Sequence, residues 1–87
     1  LNVLFSYGKM LFSYEEYEKS IDVLRRVLSK DTKWHEAYFL IAQSYEKLLE
    51  MSKAEESYEN AISLNPDSAE YKKYLARLRI KLKTKQE

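Results

Sequence analysis

Residues 35–68 read HEAYFLIAQSYEKLLEMSKAEESYENAISLNPDS, and their pattern decides the fold. Tyr38, Ile41, Ala42 and Tyr45 recur at spacings of three and four, which lines them along one face of a helix. Ala54, Tyr58, Ala61 and Ile62 repeat that pattern on a second helix. Small side chains alternate with large ones in both sets, so two helix axes can approach closely. Leu64-Asn65-Pro66-Asp67 closes the unit. Proline lacks an N–H, and its ring clashes with the preceding turn, so the second helix stops there.

The same pattern recurs on either side. Moving Tyr38, Ile41, Ala42, Tyr45, Ala54, Tyr58, Ala61 and Pro66 back by thirty-four residues lands on Leu4, Tyr7, Gly8, Leu11, Ser20, Leu24, Val27 and Thr32. The opening run, LNVLFSYGKMLFSY, is apolar enough to suit a strand, and the offset assigns it to a helix. Leu4, Tyr7, Gly8, Leu11 and Tyr14 then share one face. Tyr17, Ser20, Ile21, Leu24, Val27 and Leu28 form the face of the next helix. Ser13 with Glu16, and Ser52 with Glu55, have the spacing of capping boxes. Asp31 or Thr32 is placed to cap the third helix, and Asp67 or Ser68 the last. Glu15, Glu16 and Glu18 suit a positive helix start, and Arg25, Arg26 and Lys30 a negative helix end. In the final stretch Tyr71, Leu75, Leu78 and Leu82 make a single stripe among lysines and arginines. Five helices are predicted, at about 2–14, 16–29, 34–48, 52–64 and 68–84, with a frayed tail from Lys83.

The unit at 35–68 resembles a tetratricopeptide repeat (TPR), a helix–turn–helix module of about 34 residues. The matching positions are Tyr38, Ile41, Ala42, Tyr45, Ala54, Tyr58, Ala61 and Pro66. The family prefers Trp, Leu and Gly at the first three, and a Gly-Asp-aromatic turn where this chain has Leu49-Glu50-Met51. Residues 1–34 resemble the repeat less closely, with Ser20 and Thr32 in place of the usual Ala and Pro. Gly8 falls where the family prefers Gly, at the close crossing of two helices. The resemblance implies an all-α, right-handed solenoid of antiparallel helix hairpins. In this reading 1–34 is a first repeat, 35–68 a second, and 69–87 a basic capping helix.

Composition agrees with that class. The chain has 87 residues, 45% hydrophobic and 33% charged, with one Gly, one Pro and no Cys. So few chain breakers predict nearly continuous helix. Eight Tyr suit interfaces that are dry at one end of the ring and wet at the other. No disulfide framework or thiol chemistry is available, and no apolar run is long enough for a transmembrane helix. No signal peptide is visible, and the compartment stays open, with the cytoplasm favoured. Leu1 at the start, where a Met would begin a whole chain, predicts a fragment or a processed product. The formal net charge of +1 is unevenly spread, with +1 over residues 1–34, −5 over 35–68 and +5 over 69–87.

No catalytic set emerges. There is no glycine-rich phosphate loop, no HExxH and no paired carboxylate–histidine cluster. His35 stands alone and has no partners for a metal, so an enzyme is not expected and no cofactor is implied. Trp34, just before the central unit, reads as a packing residue between repeats.

Repeat arrays bind on the concave surface of successive helices. The TPR resemblance carries that surface onto Asn2, Phe5, Lys9, Phe12 and Ser13, onto Glu36, Phe39, Gln43, Glu46 and Lys47, and onto Glu70, Lys73, Arg77, Ile80 and Lys81, of which Phe5, Lys9, Phe12, Phe39, Gln43, Glu46, Lys73 and Arg77 are the expected binding residues. Phe5, Phe12 and Phe39 are expected to form an apolar floor, rimmed by Lys9, Gln43, Lys73 and Arg77. Such a floor suits another protein or peptide with apolar anchors and an acidic flank. Neighbouring repeats or a homo-oligomer covering the three Phe side chains is the alternative. Some TPR domains clamp a carboxylate tail through Lys, Asn and Arg. The matching positions here are Phe5, Lys9, Leu40, Lys73 and Tyr74, so that activity is not expected. The basic last helix raises a different use, contact with nucleic acid or an anionic membrane. A soluble cap with a lysine-rich exterior is the preferred reading of it.

Overall fold

A computed structural model describes residues 1–85 as five α-helices. They are α1 (Asn2–Ser13), α2 (Tyr17–Lys30), α3 (His35–Lys47), α4 (Met51–Leu64) and α5 (Ala69–Lys85). Every boundary falls within one residue of the sequence expectation. α5 continues through Lys83 to Lys85, past the point where fraying was expected, and the rest of that tail lies outside the described residues. α1 pairs with α2 and α3 with α4, while α2 also lies against α3 and α4 against α5. Each helix therefore touches chiefly its neighbours in sequence, the contact pattern of a stacked array.

The crossing of α1 and α2 shows why small residues sit where they do. Gly8 is buried against Leu24, and a Cβ at Gly8 would lie 2.7 Å from Leu24 Cδ2 and 2.8 Å from Cγ. The Ser20 hydroxyl, fully buried, donates to the Gly8 carbonyl at 2.7 Å. That bond satisfies a polar group whose burial would otherwise be costly. In the second hairpin Ala42 and Ala54 occupy the equivalent positions and are likewise fully buried. Leu24, Val27, Ile41, Tyr45, Tyr58, Leu75 and Leu78 fill the core between these crossings.

The turns inside both hairpins differ from the expected capping boxes. Glu15 and Leu49 each adopt φ 63°, the left-handed region. The Glu15 N–H bonds to the Phe12 carbonyl and the Glu16 N–H to Leu11; Leu49 bonds to Glu46 and Glu50 to Tyr45 in the same way. These are paired Schellman motifs, which satisfy the last carbonyls of α1 and α3. They place the N-caps of α2 and α4 at Glu16 and Glu50, with no side-chain capping bond. Ser13 remains inside α1, where its hydroxyl donates to Lys9 at 3.1 Å, and Ser52 lies within α4. Asp31 accepts the Lys33 N–H at 3.0 Å in a turn, and α3 begins at Trp34 without a side-chain cap. Ser68 does cap α5, accepting the Tyr71 N–H at 3.1 Å.

Three positions expected to face the core are exposed. Thr32 lies in the α2–α3 connection, and Tyr7 faces out from α1 along with Tyr14. Trp34 does pack between hairpins. Its ring lies 5.0 Å from Phe5, and its indole N–H is buried with no hydrogen-bond partner among the described residues.

Two stability measurements check this account. Glu15→Gly relieves a left-handed backbone and is expected to raise the unfolding free energy in urea by about 0.5–1 kcal/mol. Gly8→Ala is expected to lower it by about 1 kcal/mol, because overpacking against Leu24 outweighs the gain in helix propensity. Placed in a Leu24→Ala background, which leaves room for the methyl group, the same Gly8→Ala change is expected to be neutral or stabilising.

Candidate functional site

α3 and α5 stand side by side with the start of α4 beneath them, and the space between their C-terminal halves is an open trough of about 710 Å³. Its apolar surface comes from Leu49 and Met51 at the α3–α4 turn, Tyr58 on α4, and Tyr74 and Ile80 on α5. Gln43, Glu46 and Lys47 line the α3 side, and Arg77, Lys81 and Thr84 the α5 side. The helical period puts Tyr74, Arg77 and Lys81 on one face of α5, while Tyr71, Leu75 and Leu78 turn toward the core.

Beneath the trough lies a cluster of rings. Phe39 is 4.5 Å from Tyr71, 5.0 Å edge-on from Tyr74 and 5.9 Å from Tyr58. His35 Nδ1 and the Tyr71 hydroxyl are hydrogen-bonded at 2.7 Å, which ties the start of α3 to the start of α5. Such offset and edge-to-face rings attract beyond the area they bury, by about 0.5–1.5 kcal/mol per pair.

Glu46 joins three helices. Its Oε1 accepts the Tyr58 hydroxyl at 2.8 Å and its Oε2 accepts Lys81 Nζ at 2.7 Å. The Tyr58 hydroxyl is pushed well above its ordinary pKa, first by burial and then by the bond to Glu46. Tyr71 is also raised, by burial and then by the nearby carboxylates of Glu36 and Glu70. On the outer side, Arg79 Nε reaches Glu55 at 3.0 Å and Arg79 Nη2 reaches Glu59 at 2.9 Å. The hydrogen bond that Arg79 donates to Glu55 leads the causes that raise the Arg79 pKa.

The structure brings Gln43, Glu46 and Arg77 together in the trough and separates the three phenylalanines. Phe5 stacks on Trp34 and lies beneath the Lys9 ammonium, which is 5.9 Å from its ring centre. Phe12 meets the edge of Tyr17 at 5.5 Å. Phe39 belongs to the ring cluster. Each is half-buried against a different aromatic partner, and none of them lines the trough. Lys73 is exposed and outside it too. The expected floor was drawn from Phe5 and Phe12, two turns apart on α1, and Phe39 on α3. The actual surface is built by Tyr74 and Ile80 of α5 with Leu49, Met51 and Tyr58 around the α3–α4 turn. Lys47, Ile80 and Lys81 are among the positions the resemblance carried over to the concave surface, whereas Leu49, Met51, Tyr58 and Tyr74 are not. Among the described residues there is no cluster of three or more His, Cys, Asp or Glu placed to hold a metal, and no helix is long and apolar enough to cross a membrane.

Comparison with known proteins agrees with this geometry. Residues 35–68 match the tetratricopeptide repeat family model. Protein bimA of Emericella nidulans is 30% identical over 70 residues, which is 75% of this chain and 9% of that protein. A solved structure of MamA (residues 41 to the end) from Desulfovibrio magneticus RS-1 superposes with a TM-score of 0.87 at 21% identity, over 92% of this chain and 45% of the other. A MamA RS-1 ArsTM double mutant gives 0.85 at 22% identity, over 90% and 44%. These likenesses show the fold, a right-handed solenoid of antiparallel helix hairpins. The chain spans under half the length of the solved proteins and about a tenth of the curated relative.

Burial of the Tyr58 hydroxyl, together with its bond to Glu46, makes stability depend on alkaline pH. Folding raises the Tyr58 pKa above its ordinary 10.0, so the folded state holds that proton more tightly than the unfolded chain. Below pH 10 both states keep the proton, and the stabilisation is fully present. Above it the unfolded chain ionises first, and stability falls as pH rises. Tyr58→Phe is expected to cost about 1–3 kcal/mol at neutral pH, and to show a shallower loss between pH 9 and about 11 in chemical denaturation.

Proposed function

Because residues 35–68 are a tetratricopeptide repeat, we propose that this chain is a non-catalytic protein-interaction module whose partner docks in the trough between α3 and α5. The family's helical hairpins serve in general as protein–protein interaction modules. The observation that carries the finer reading is the pairing of exposed apolar side chains with cations in a single concavity. Ile80 is 66% exposed and Leu49 68% exposed, yet both line the same trough as Lys47 and Arg77. An isolated exposed Ile or Leu is ordinary on a protein surface. Two of them converging on Met51 and Tyr74 under a basic rim form an anchor site with a charged margin.

The partner that fits is a peptide or helix with one or two large apolar side chains and a neighbouring acidic residue. The apolar anchors would displace water from Leu49, Met51 and Ile80, and the acidic group would face Arg77 and Lys47. Such charge pairs at an exposed rim favour encounter and register more than affinity. Glu46 has a different part from the one its sequence position suggested. It is held by Tyr58 and Lys81, so it shapes the wall and fixes Lys81 in place.

The basic charge of α5 supports this use over contact with nucleic acid. Arg79 and Lys81 are engaged with Glu55, Glu59 and Glu46. The acidic second hairpin thus absorbs part of the cap's charge.

A selection from a random peptide library tests the proposal. Peptides with an apolar anchor beside Asp or Glu are expected to emerge. Their affinity is expected to fall at least about tenfold for Ile80→Asp and about three- to tenfold for Arg77→Glu, with far-UV circular dichroism unchanged. Equal binding by wild type and both variants would refute the trough as the docking site.

A further inference from the structure

The side of α3 turned away from the trough carries a second cavity. α2 and α4 each pack against α3, and an opening of about 360 Å³ lies between them. Tyr38, Ile41 and Tyr45 form its floor at helical spacings of three and four. That spacing puts them on the other face of α3 from Gln43 and Lys47, which line the trough. Arg25 reaches the opening from α2, and Lys53, Glu56 and Ser57 reach it from α4.

Hydrogen-bond donors converge here without acceptors to match. Arg25 Nη2 donates to the Tyr45 hydroxyl. A guanidinium has no lone pair with which to accept, so the Tyr45 oxygen is the acceptor and its own proton is left for another partner. No such partner occurs among the described residues, although Tyr45 is only 8% exposed. Ser57 is buried to the same degree, and its hydroxyl makes no hydrogen bond among the described residues. Two cations gather at the same ring: Lys53 Nζ lies 5.7 Å and the Arg25 guanidinium carbon 5.9 Å from the centre of Tyr45. The ring attracts each cation, but the cations repel each other, and an anion within reach of both would offset that repulsion. Neither is in an ion pair among the described residues, and Glu56, which lines the same opening, pairs with neither.

We infer that this opening binds a small organic carboxylate with a short apolar body. Two cations and one carboxylate line it, which leaves a single positive charge and suits a monoanion better than a doubly charged phosphate. Only Nη2 of Arg25 is engaged, so the rest of its planar fork is open to both oxygens of a carboxylate. The Tyr45 and Ser57 hydroxyls supply further donors. Leu28, Ile41 and the Tyr38 ring offer apolar cover for a short chain or ring. The volume is at the low end of the about 300–1,000 Å³ of ligand pockets, which fits a molecule of about ten heavy atoms rather than a peptide segment. The site shares no residue with the trough and stands independently of the docking proposed there.

The test titrates the isotope-labelled 87-residue chain with hydrocinnamate and follows its amide resonances. Saturable shifts are expected around Leu28, Tyr45, Lys53 and Ser57, and none at Lys47, Arg77 or Ile80 in the trough. A dissociation constant of about 1 mM is expected for an acid of this size. The uncharged amide of the same acid is expected to give no such shifts at the same concentration. Lys53→Gln and Arg25→Gln are each expected to weaken binding about fivefold or more. Glu56→Gln is expected to tighten it about two- to threefold, a gain that loss of a purely structural contact would not give. Lys53 and Glu56 are exposed, so their variants keep the fold and carry the test even where Arg25→Gln unfolds. The inference is overturned by an absence of saturable shifts, by shifts centred on the trough, or by equal binding of the amide or of inorganic phosphate. Equal affinity of wild type and the Lys53 and Glu56 variants overturns it as well.

Discussion

Two helices can approach only as closely as the side chains between them permit, and in this chain that distance is set by four small residues. Gly8 and Ser20 meet in the first hairpin, and Ala42 and Ala54 take the same places in the second. With those contacts in place, Leu24 and Tyr58 are fully enclosed at the next turn of each second helix. A larger side chain at a crossing would spread a hairpin and move every helix stacked upon it. Because each helix packs chiefly on its sequence neighbours, such a displacement would pass along the array rather than stay local.

The trough inherits its shape from the same packing. Tyr58 is at once a fully buried core residue and, through its hydroxyl, the support for Glu46 on the trough wall. Tyr74 belongs both to the ring cluster and to the exposed surface. The −5 of the second hairpin and the +5 of the last segment are partly joined through Arg79 and Lys81. These exposed pairs are screened by water and contribute little each. Their geometric effect is to hold α5 at a defined angle over α3 and α4, and that angle sets the width of the trough.

The fold was legible in the sequence because its determinants are periodic. The five helical faces, the thirty-four-residue offset and the stop at Pro66 all follow from spacing, and the helix limits followed within one residue. What spacing could not show was backbone conformation. Glu15 and Leu49 do not advertise a positive φ as glycine would, so capping boxes at Ser13 and Ser52 looked equally sound. The site was less legible for a related reason. A period assigns a residue to a helix face, but it does not say which neighbour covers that face. Phe39 was expected in an open apolar floor with Phe5 and Phe12, and Tyr71 and Tyr74 close over it. Tyr7 was placed in the core because it stands thirty-four residues before Ile41 and shares its helical spacing, yet it is exposed.

Trp34 is the one tryptophan in the chain, and it sits at the seam between hairpins, stacked on Phe5 with its indole N–H enclosed. Its surroundings change when α1 and α3 part company. The chain therefore carries an intrinsic optical marker at the joint that distinguishes a one-piece transition from stepwise unzipping. Emission that shifts with the loss of helix signals a single cooperative unit; emission that shifts first signals an array whose weakest link is the seam.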